Sequence, residues 1–332
     1  MNKPVLPLFR EVFALGLIGL FFYLFLFVDF HDISFNVPSE LLTVNTMFLS
    51  ILLEAIPFIL LGVFISALIQ TFVSEDFIKR VLPKNAIVAL LPAALLGAIF
   101  PICECAIVPI VRRLMKKGMP LHLGVVFLVG APILNPVVFA STFYAFGTEQ
   151  HIAYARMGLA FILSIVIGFI IYLVFKNKDQ LKIKQEIIVN HSHGSESVGK
   201  LKSTLYHASD EFFEMGKFLI LGAFIASLFQ TFLDRTLLTE IGSNDILSPA
   251  IMMAFGYILS LCSEADAFVA ASFSGSFTTG SLLAFLVYGP MLDLKNTIML
   301  FAFFKARFVA AFIVIVTVVV YLSILVYQQF FL

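Results

Sequence analysis

Glu104 sits between two cysteines in the run Pro101-Ile-Cys-Glu-Cys-Ala106, and Glu264 lies in Leu261-Cys-Ser-Glu-Ala-Asp266, both inside strongly apolar sequence. A carboxylate at membrane depth is costly unless it is neutralised, paired or wet, so such a group suits a proton or cation carrier. The alternative is structural, with each carboxyl satisfying free backbone N–H groups at a chain break. Cys103 and Cys105 add soft donors. On a helix, positions i and i+2 point about 200° apart, so only an unwound backbone turns both thiols toward one ligand. Pro101 disfavours helical geometry for Phe100 and helps to place a break there. Shared ligation of a soft metal or metalloid by Cys103 and Cys105, and burial as two inert thiols, both remain open. Cys262 and Ser263 bring a third thiol and a hydroxyl if the two segments meet.

Two further interruptions carry polar residues. Asn135 lies in Gly130-Ala-Pro-Ile-Leu-Asn-Pro136, and Asp293 and Lys295 lie in Tyr288-Gly-Pro-Met-Leu-Asp-Leu-Lys295. Helix interruptions free carbonyls and helix ends that hold ions or anionic groups. Asp293 and Lys295 are also read as a simple pair, since intramembrane charges usually find partners. The candidate substrate- or ion-binding set is therefore Cys103, Glu104, Cys105, Asn135, Cys262, Ser263, Glu264, Asp266, Asp293 and Lys295.

The elements that must position these residues come in duplicate. Glu54–Val73 and Glu214–Leu233 match at ten of twenty positions with an offset of 160, including Glu54/Glu214, Gly62/Gly222 and Gln70/Gln230. The same offset carries Glu104 onto Glu264, and Pro132/Pro290 and Asn135/Asp293 align after a two-residue gap. Internal duplication is a common construction of secondary transporters, with the site where the repeats meet. Glu54 and Glu214 are expected in the first turns of their helices, where the helix dipole favours a carboxylate. Gly62 and Gly222, with Ser66 and Ser227, read as close helix packing, and Gln70 and Gln230 as interhelical hydrogen-bond donors.

Composition places the chain in a bilayer. Hydrophobic residues make up 61% and charged residues 13% of 332 residues, and mean hydropathy is +1.03, more apolar sequence than one soluble core hides. No basic patch suggests nucleic acid. No G-x-x-x-x-G-K-[ST], H-E-x-x-H, G-x-S-x-G or C-x-x-C occurs, which removes P-loop ATP hydrolysis and the common hydrolase and thioredoxin signatures. The chain is read as a non-enzyme with no cofactor beyond a coupling proton or cation.

Spanning apolar segments fall at about 12–29, 47–73, 153–175, 212–234 and 307–327, while 85–147 and 246–304 are built of pieces too short to span comfortably. Lys79, Arg80 and Lys84 precede the first broken region, and Arg112, Arg113, Lys116 and Lys117 follow its first half. A crossing at 85–111 would put these clusters on opposite sides, against the positive-inside bias; a re-entrant hairpin keeps both in the cytoplasm. The expected fold is an all-α polytopic membrane protein of two inverted repeats with re-entrant or broken helices, plus an N-terminal transmembrane helix. Its parts are a signal-anchor helix and outside loop (1–45), repeat 1 (46–176, tip at 101–106), a cytoplasmic linker (177–210) and repeat 2 (211–332, tip at 261–266). A parallel duplication of eight or nine plain helices is the rival architecture. In the linker, His191, His193 and Glu196 match no structural zinc spacing.

With Pro101-Ile-Cys-Glu-Cys-Ala-Ile-Val-Pro-Ile-Val-Arg-Arg-Leu114, Gly130-Ala-Pro-Ile-Leu-Asn-Pro136 and Ser263-Glu264-Ala265-Asp266, the chain resembles the predicted-permease family that includes the methylarsenite efflux permeases and the YraQ and YcgR proteins. The resemblance covers most of the chain after residue 45. It implies a multi-pass plasma-membrane permease, with trivalent organoarsenicals as one substrate class of the family and thiols as ligands. The functional expectation is a secondary transporter that exports a soft metal, a metalloid or a small organic species by proton-coupled alternating access, with the N-terminus and the 177–210 loop in the cytoplasm. Its partners are the bilayer and the cargo, with a partner protein or a homo-oligomer open. Two other classes stand beside it: a membrane-embedded subunit or metal-delivery component of a larger complex, and a thiol-based membrane redox protein.

Overall fold

The computed structural model describes residues 39–72, 85–99, 102–147, 149–176, 180–182, 198–232 and 246–331. The 12–29 segment, the Lys79–Lys84 cluster and His191, His193 and Glu196 fall outside the described residues. Met1–Leu42 and Thr43–Leu332 separate as two compact units, and the second holds every candidate site residue.

Twelve helices account for the regular structure of the described residues, and no strand occurs among them. They are α1 (Ser39–Phe72), α2 (Leu90–Ile99), α3 (Glu104–Lys116), α4 (Leu121–Leu134), α5 (Pro136–Phe146) and α6 (His151–Phe175). Then follow α7 (Val198–Phe232), α8 (Leu247–Leu259), α9 (Asp266–Ser272), α10 (Thr279–Met291), α11 (Leu294–Phe303) and α12 (Ala306–Phe331). The order long, short, short, paired, paired, long occurs twice.

Among the described residues four helices are long and apolar enough to cross a bilayer, five if the pair α4 and α5, bent by 40°, counts as one broken span. The chain is thus an all-α, multi-pass membrane protein. In the outer helices α1, α6, α7 and α12 only 28–33% of the most apolar window is buried, because lipid satisfies the remaining face. Helices α4 and α10 are buried almost throughout and pack on each other at the centre. Around them the third helix of each half packs on the fifth of the other, α3 on α11 and α9 on α5.

The breaks have local causes. Asn135 is extended (φ −72°, ψ 150°) because Pro136 follows it, and Pro136 then opens α5 where its missing N–H costs nothing. The Asn135 Oδ1 accepts from Val138 N–H at 2.9 Å. At the mirrored break Asp293 is extended and its Oδ1 accepts from Asn296 N–H at 2.6 Å. Each buried side chain supplies the acceptor that the free N-terminal amides need. Ser260 ends α8 in the left-handed region (φ 48°). On the far side of α6, Leu181 pairs with Phe304 as an isolated bridge, with Lys182 N–H donating to Phe303 O at 2.8 Å and Lys305 N–H to Gln180 O at 2.9 Å.

The expectation for Glu54 and Glu214 is corrected. Helix α1 begins at Ser39 and α7 at Val198, so both acids lie mid-helix, far beyond the first turn where the dipole acts. Helix α7 runs without a break from Val198 to Phe232. Glycine packing is as expected. A Cβ on Gly222 would meet the Lys295 backbone at 3.2 Å, and Gln230 Nε2 donates to Leu259 O across α7 and α8.

A Cβ on Gly62 would lie 2.7 Å from Ala106 Cα and Cβ and 2.8 Å from its carbonyl oxygen. Because backbone atoms cannot step aside, Gly62→Ala is expected to destabilise the protein by about 1–3 kcal/mol despite alanine's better helix propensity. Gly158→Ala, with nothing within 4 Å of the new atom, serves as the neutral or stabilising control. Thermal unfolding in mild detergent reads both; an unchanged midpoint for Gly62→Ala contradicts the close approach of α1 to α3.

Candidate functional site

The two tips meet. Cys103, in extended conformation (φ −75°, ψ 167°), precedes α3, and Glu104 and Cys105 form its first turn. The backbone is therefore extended at Cys103, while Cys105 lies in the first turn of α3. Glu104 Oε2 accepts from Ser263 Oγ at 3.1 Å, and Glu104 Oε1 lies 3.4 Å from Lys295 Nζ. Lys295 Nζ also faces Asp293 Oδ2 at 3.5 Å and donates to Ser260 O at 3.2 Å. Asp293 and Lys295 do pair, and the pair reaches the opposite tip.

A second buried ion pair completes the network. Arg156 Nη2 lies 2.8 Å from Asp266 Oδ2 and donates to Ser263 O at 3.2 Å, while Arg156 Nη1 donates to Thr142 Oγ1 at 2.7 Å. Ser263 thus touches one tip acid and the partner of the other, its hydroxyl on Glu104 and its carbonyl on Arg156. A continuous chain of contacts runs from Asp293 through Lys295, Glu104, Ser263 and Arg156 to Asp266. Each tip acid is held by a cation from the other half: Glu104 of α3 by Lys295 of α11, and Asp266 of α9 by Arg156 of α6.

Between the tips lies a cavity of about 10 Å³ lined by Cys103, Glu104, Cys105, Cys262, Ser260 and Lys295, with Glu54, Ile51, Ala55 and Phe58 from α1. That is the space of about one water-sized sphere. All three cysteines are reduced and buried, and all three line it. Among the described residues no group of three or more His, Cys, Asp and Glu side chains is placed to share one metal ion. Three sulfur donors, with oxygen and ammonium groups around them, line the cavity.

The candidates divide accordingly. Cys103, Glu104, Cys105, Cys262 and Lys295 line one cavity, and Ser263, Asp266 and Asp293 support it. Asn135 caps α5, and its other bond, Nδ2 to Pro132 O at 3.3 Å, is local. Glu264 is only half-buried and takes a contact from the Cys262 thiol, so it is not the environmental twin of Glu104. Glu54 lines the cavity. Glu214 instead pairs with Arg112 at 2.9 Å, whose guanidinium lies 4.3 Å from the centre of the Phe303 ring.

Hydropathy reading passed over Arg156, Thr142 and Ser260. Arg156 had a signal of its own, being a cation inside an apolar span, which marks a functional position by default. Ser260 had none, because its role rests on a left-handed backbone that turns its carbonyl to Lys295.

Broken helices meeting at buried, cross-paired charges place the chain among helical membrane permeases. The comparison with known proteins is more specific. The profile of the predicted permease family ArsP_1 matches residues 40–329, and the chain belongs to that family. It is 50% identical to the UPF0718 protein YcgR of Bacillus subtilis over 282 residues, 85% of this chain and 96% of that protein. It is 40% identical over 281 residues, 84% of this chain and 92% of the relative, to a Streptococcus mutans protein described as a subunit of a two-component membrane permease complex. No solved structure matches.

Removing one partner of a buried ion pair leaves an uncompensated charge and costs about 3–5 kcal/mol, whereas removing both is far milder. Arg156→Gln alone is therefore expected to lose stability on that scale, and Arg156→Gln with Asp266→Asn to recover most of it. Unfolding in mild detergent measures both, and an equally unstable double variant contradicts the pairing.

Proposed function

We propose that the protein is a secondary transporter of the cytoplasmic membrane, in which two inverted repeats alternate access to the thiol-lined cavity between their tips. The observation that carries this reading is the cross-pairing of the tip acids. Charges from both halves meet at one point, so any rocking of one half against the other must break and remake those pairs beside the cargo. The cargo class is a soft metal, a metalloid or a small thiophilic organic species, because sulfur is the cavity's distinguishing donor. Transport is outward and coupled to protons, with Glu104 the carrier of choice. Glu264, half-buried, is the weaker second carrier. The N-terminus and the 177–210 loop face the cytoplasm.

A second reading has its own support: the relative described as a subunit of a two-component permease complex. In it this chain is the membrane-embedded channel of a pair, and a second protein supplies or receives the cargo.

Uptake of Ag⁺ or phenylarsine oxide into everted vesicles, driven by a proton gradient, tests the transporter reading. Glu104→Gln is expected to slow uptake about tenfold or more, the equivalent of about 1.4 kcal/mol, and Glu264→Gln to slow it less. Wild-type rates in both variants would sink the carboxylate roles. Uptake that appears only when a second, co-expressed protein is present would favour the two-component reading.

A further inference from the structure

Helix α1 carries a carboxylate that the ion-pair network does not use. Glu54 is the central residue of the 31-residue apolar span Ser39–Ile69, about 22 Å along the helix from either end. That is membrane depth in a hydrocarbon core about 30 Å thick. It is nevertheless exposed, and it has no ion pair or hydrogen bond among the described residues. Its duplicate Glu214 is paired with Arg112. The offset of 160 sets Ser272 against Arg112, so a serine stands where Glu54 would find the mirrored cation.

The same carboxylate lines the cavity between the tips, where the titratable groups around it are Glu104, Lys295 and the three thiols. Glu264, beyond Cys262, is turned to that thiol. On α1 itself the only other charged residue is Glu40, in its first turn. Helix α7 packs on Ile51 through Ala223 and Ala226, and its nearest charged residue in sequence, Lys217, lies about 9 Å earlier along the axis. Helix α3 brings Arg112 to Glu214, away from the cavity. A charged carboxylate against hydrocarbon is costly, so Glu54 is either in water or neutral. An acid open on one side and lining an enclosed cavity on the other is placed as a proton entry group.

We propose that Glu54 is the proton-exchange group at the mouth of the cavity, taking protons from water and passing them to Glu104. The inference rests on the reading of Glu104 as the proton carrier and adds the path by which protons reach it. The cavity of about 10 Å³ admits one water, and that water is the relay. Neutral Glu54 gives its proton to the water, the water gives one to the Glu104 carboxylate, and the Glu54 carboxylate is reprotonated from water at the mouth. Only O–H bonds break and form. Glu104, once neutral, loses its attraction for the Lys295 ammonium, which keeps Asp293 as its partner. Proton entry at Glu54 thus loosens one of the two cross-pairs that hold the halves together.

Dicyclohexylcarbodiimide adds to protonated carboxyls at membrane depth and needs no other reactant. Labelling of native membranes followed by peptide mass mapping therefore reads Glu54 without any cargo. Glu54 is expected to be modified at mildly acidic pH and about tenfold less at alkaline pH. No modification in intact membranes overturns the proposal, as does modification that appears only after detergent strips a covering chain from α1. Transport tests the relay, with Ag⁺ or phenylarsine oxide as the probe. Glu54→Gln is expected to slow proton-driven uptake into everted vesicles about tenfold or more, and to leave exchange of labelled for unlabelled probe at equal pH within about twofold of wild type. Glu54→Asp is expected to restore the driven uptake. Equal loss of driven uptake and exchange marks a structural role and overturns the proposal, and so does wild-type driven uptake in Glu54→Gln. If Glu104→Gln is slow where Glu54→Gln is not, this inference alone falls; wild-type rates in both remove the carrier role of Glu104 as well.

Discussion

Ser263 joins two ion pairs that no single half of the chain completes. Its hydroxyl donates to Glu104, which Lys295 holds, and its carbonyl accepts from Arg156, which holds Asp266. Every other feature of the site depends on keeping these charges matched, because a lone buried charge costs several kcal/mol and a bilayer offers no water to relieve it. The helix breaks serve the same constraint. Extended backbone at Cys103, Asn135 and Asp293 opens gaps in the helices, and Asn135 and Asp293 then cap the helices that restart. Close packing brings the elements into reach: Gly222 lets α7 lie against the backbone of Lys295, and Gly62 lets α1 lie against Ala106, beside the thiols.

The two halves share an order of helices but not their equipment. The first contributes Cys103 and Cys105 with a single tip acid, and the second contributes Cys262, Asp266, Asp293 and Lys295. Symmetric scaffolding with asymmetric side chains gives one cavity two unlike walls, one of sulfur and one of charge. It also explains why Glu104 and Glu264, equivalent in sequence, differ in burial: the Lys295 that covers Glu104 has no counterpart at the aligned position of the first half, where Val137 stands.

Much of this was legible in the sequence, for a physical reason. In a chain of 61% hydrophobic residues, polar residues are few and each needs an explanation, so Glu104, Asp266, Asp293 and Lys295 stand out without any geometry. Pro136 marks its break because proline restricts the residue before it and cannot donate, whereas Pro132 and Pro290 lie in the last turns of α4 and α10, just before the breaks. What stayed hidden was pairing and extent. Arg156 lies inside a span legible only as apolar, and its partner is 110 residues away. Sequence pattern sets Glu54 and Glu214 at helix starts because nothing in local propensity says that α1 begins at Ser39 or α7 at Val198. Tertiary packing alone brings Glu214 to Arg112 and Glu54 to the cavity.

The central claim is that the two cross-paired ion pairs form one network rather than two independent locks. A double-mutant cycle on stability in mild detergent, combining Lys295→Gln with Arg156→Gln, addresses it directly. Sites in one network couple by about 0.5–3 kcal/mol, and independent sites add within about 0.3–0.5 kcal/mol. The account predicts a coupling of about 1 kcal/mol or more, carried through Ser263; strict additivity would contradict it.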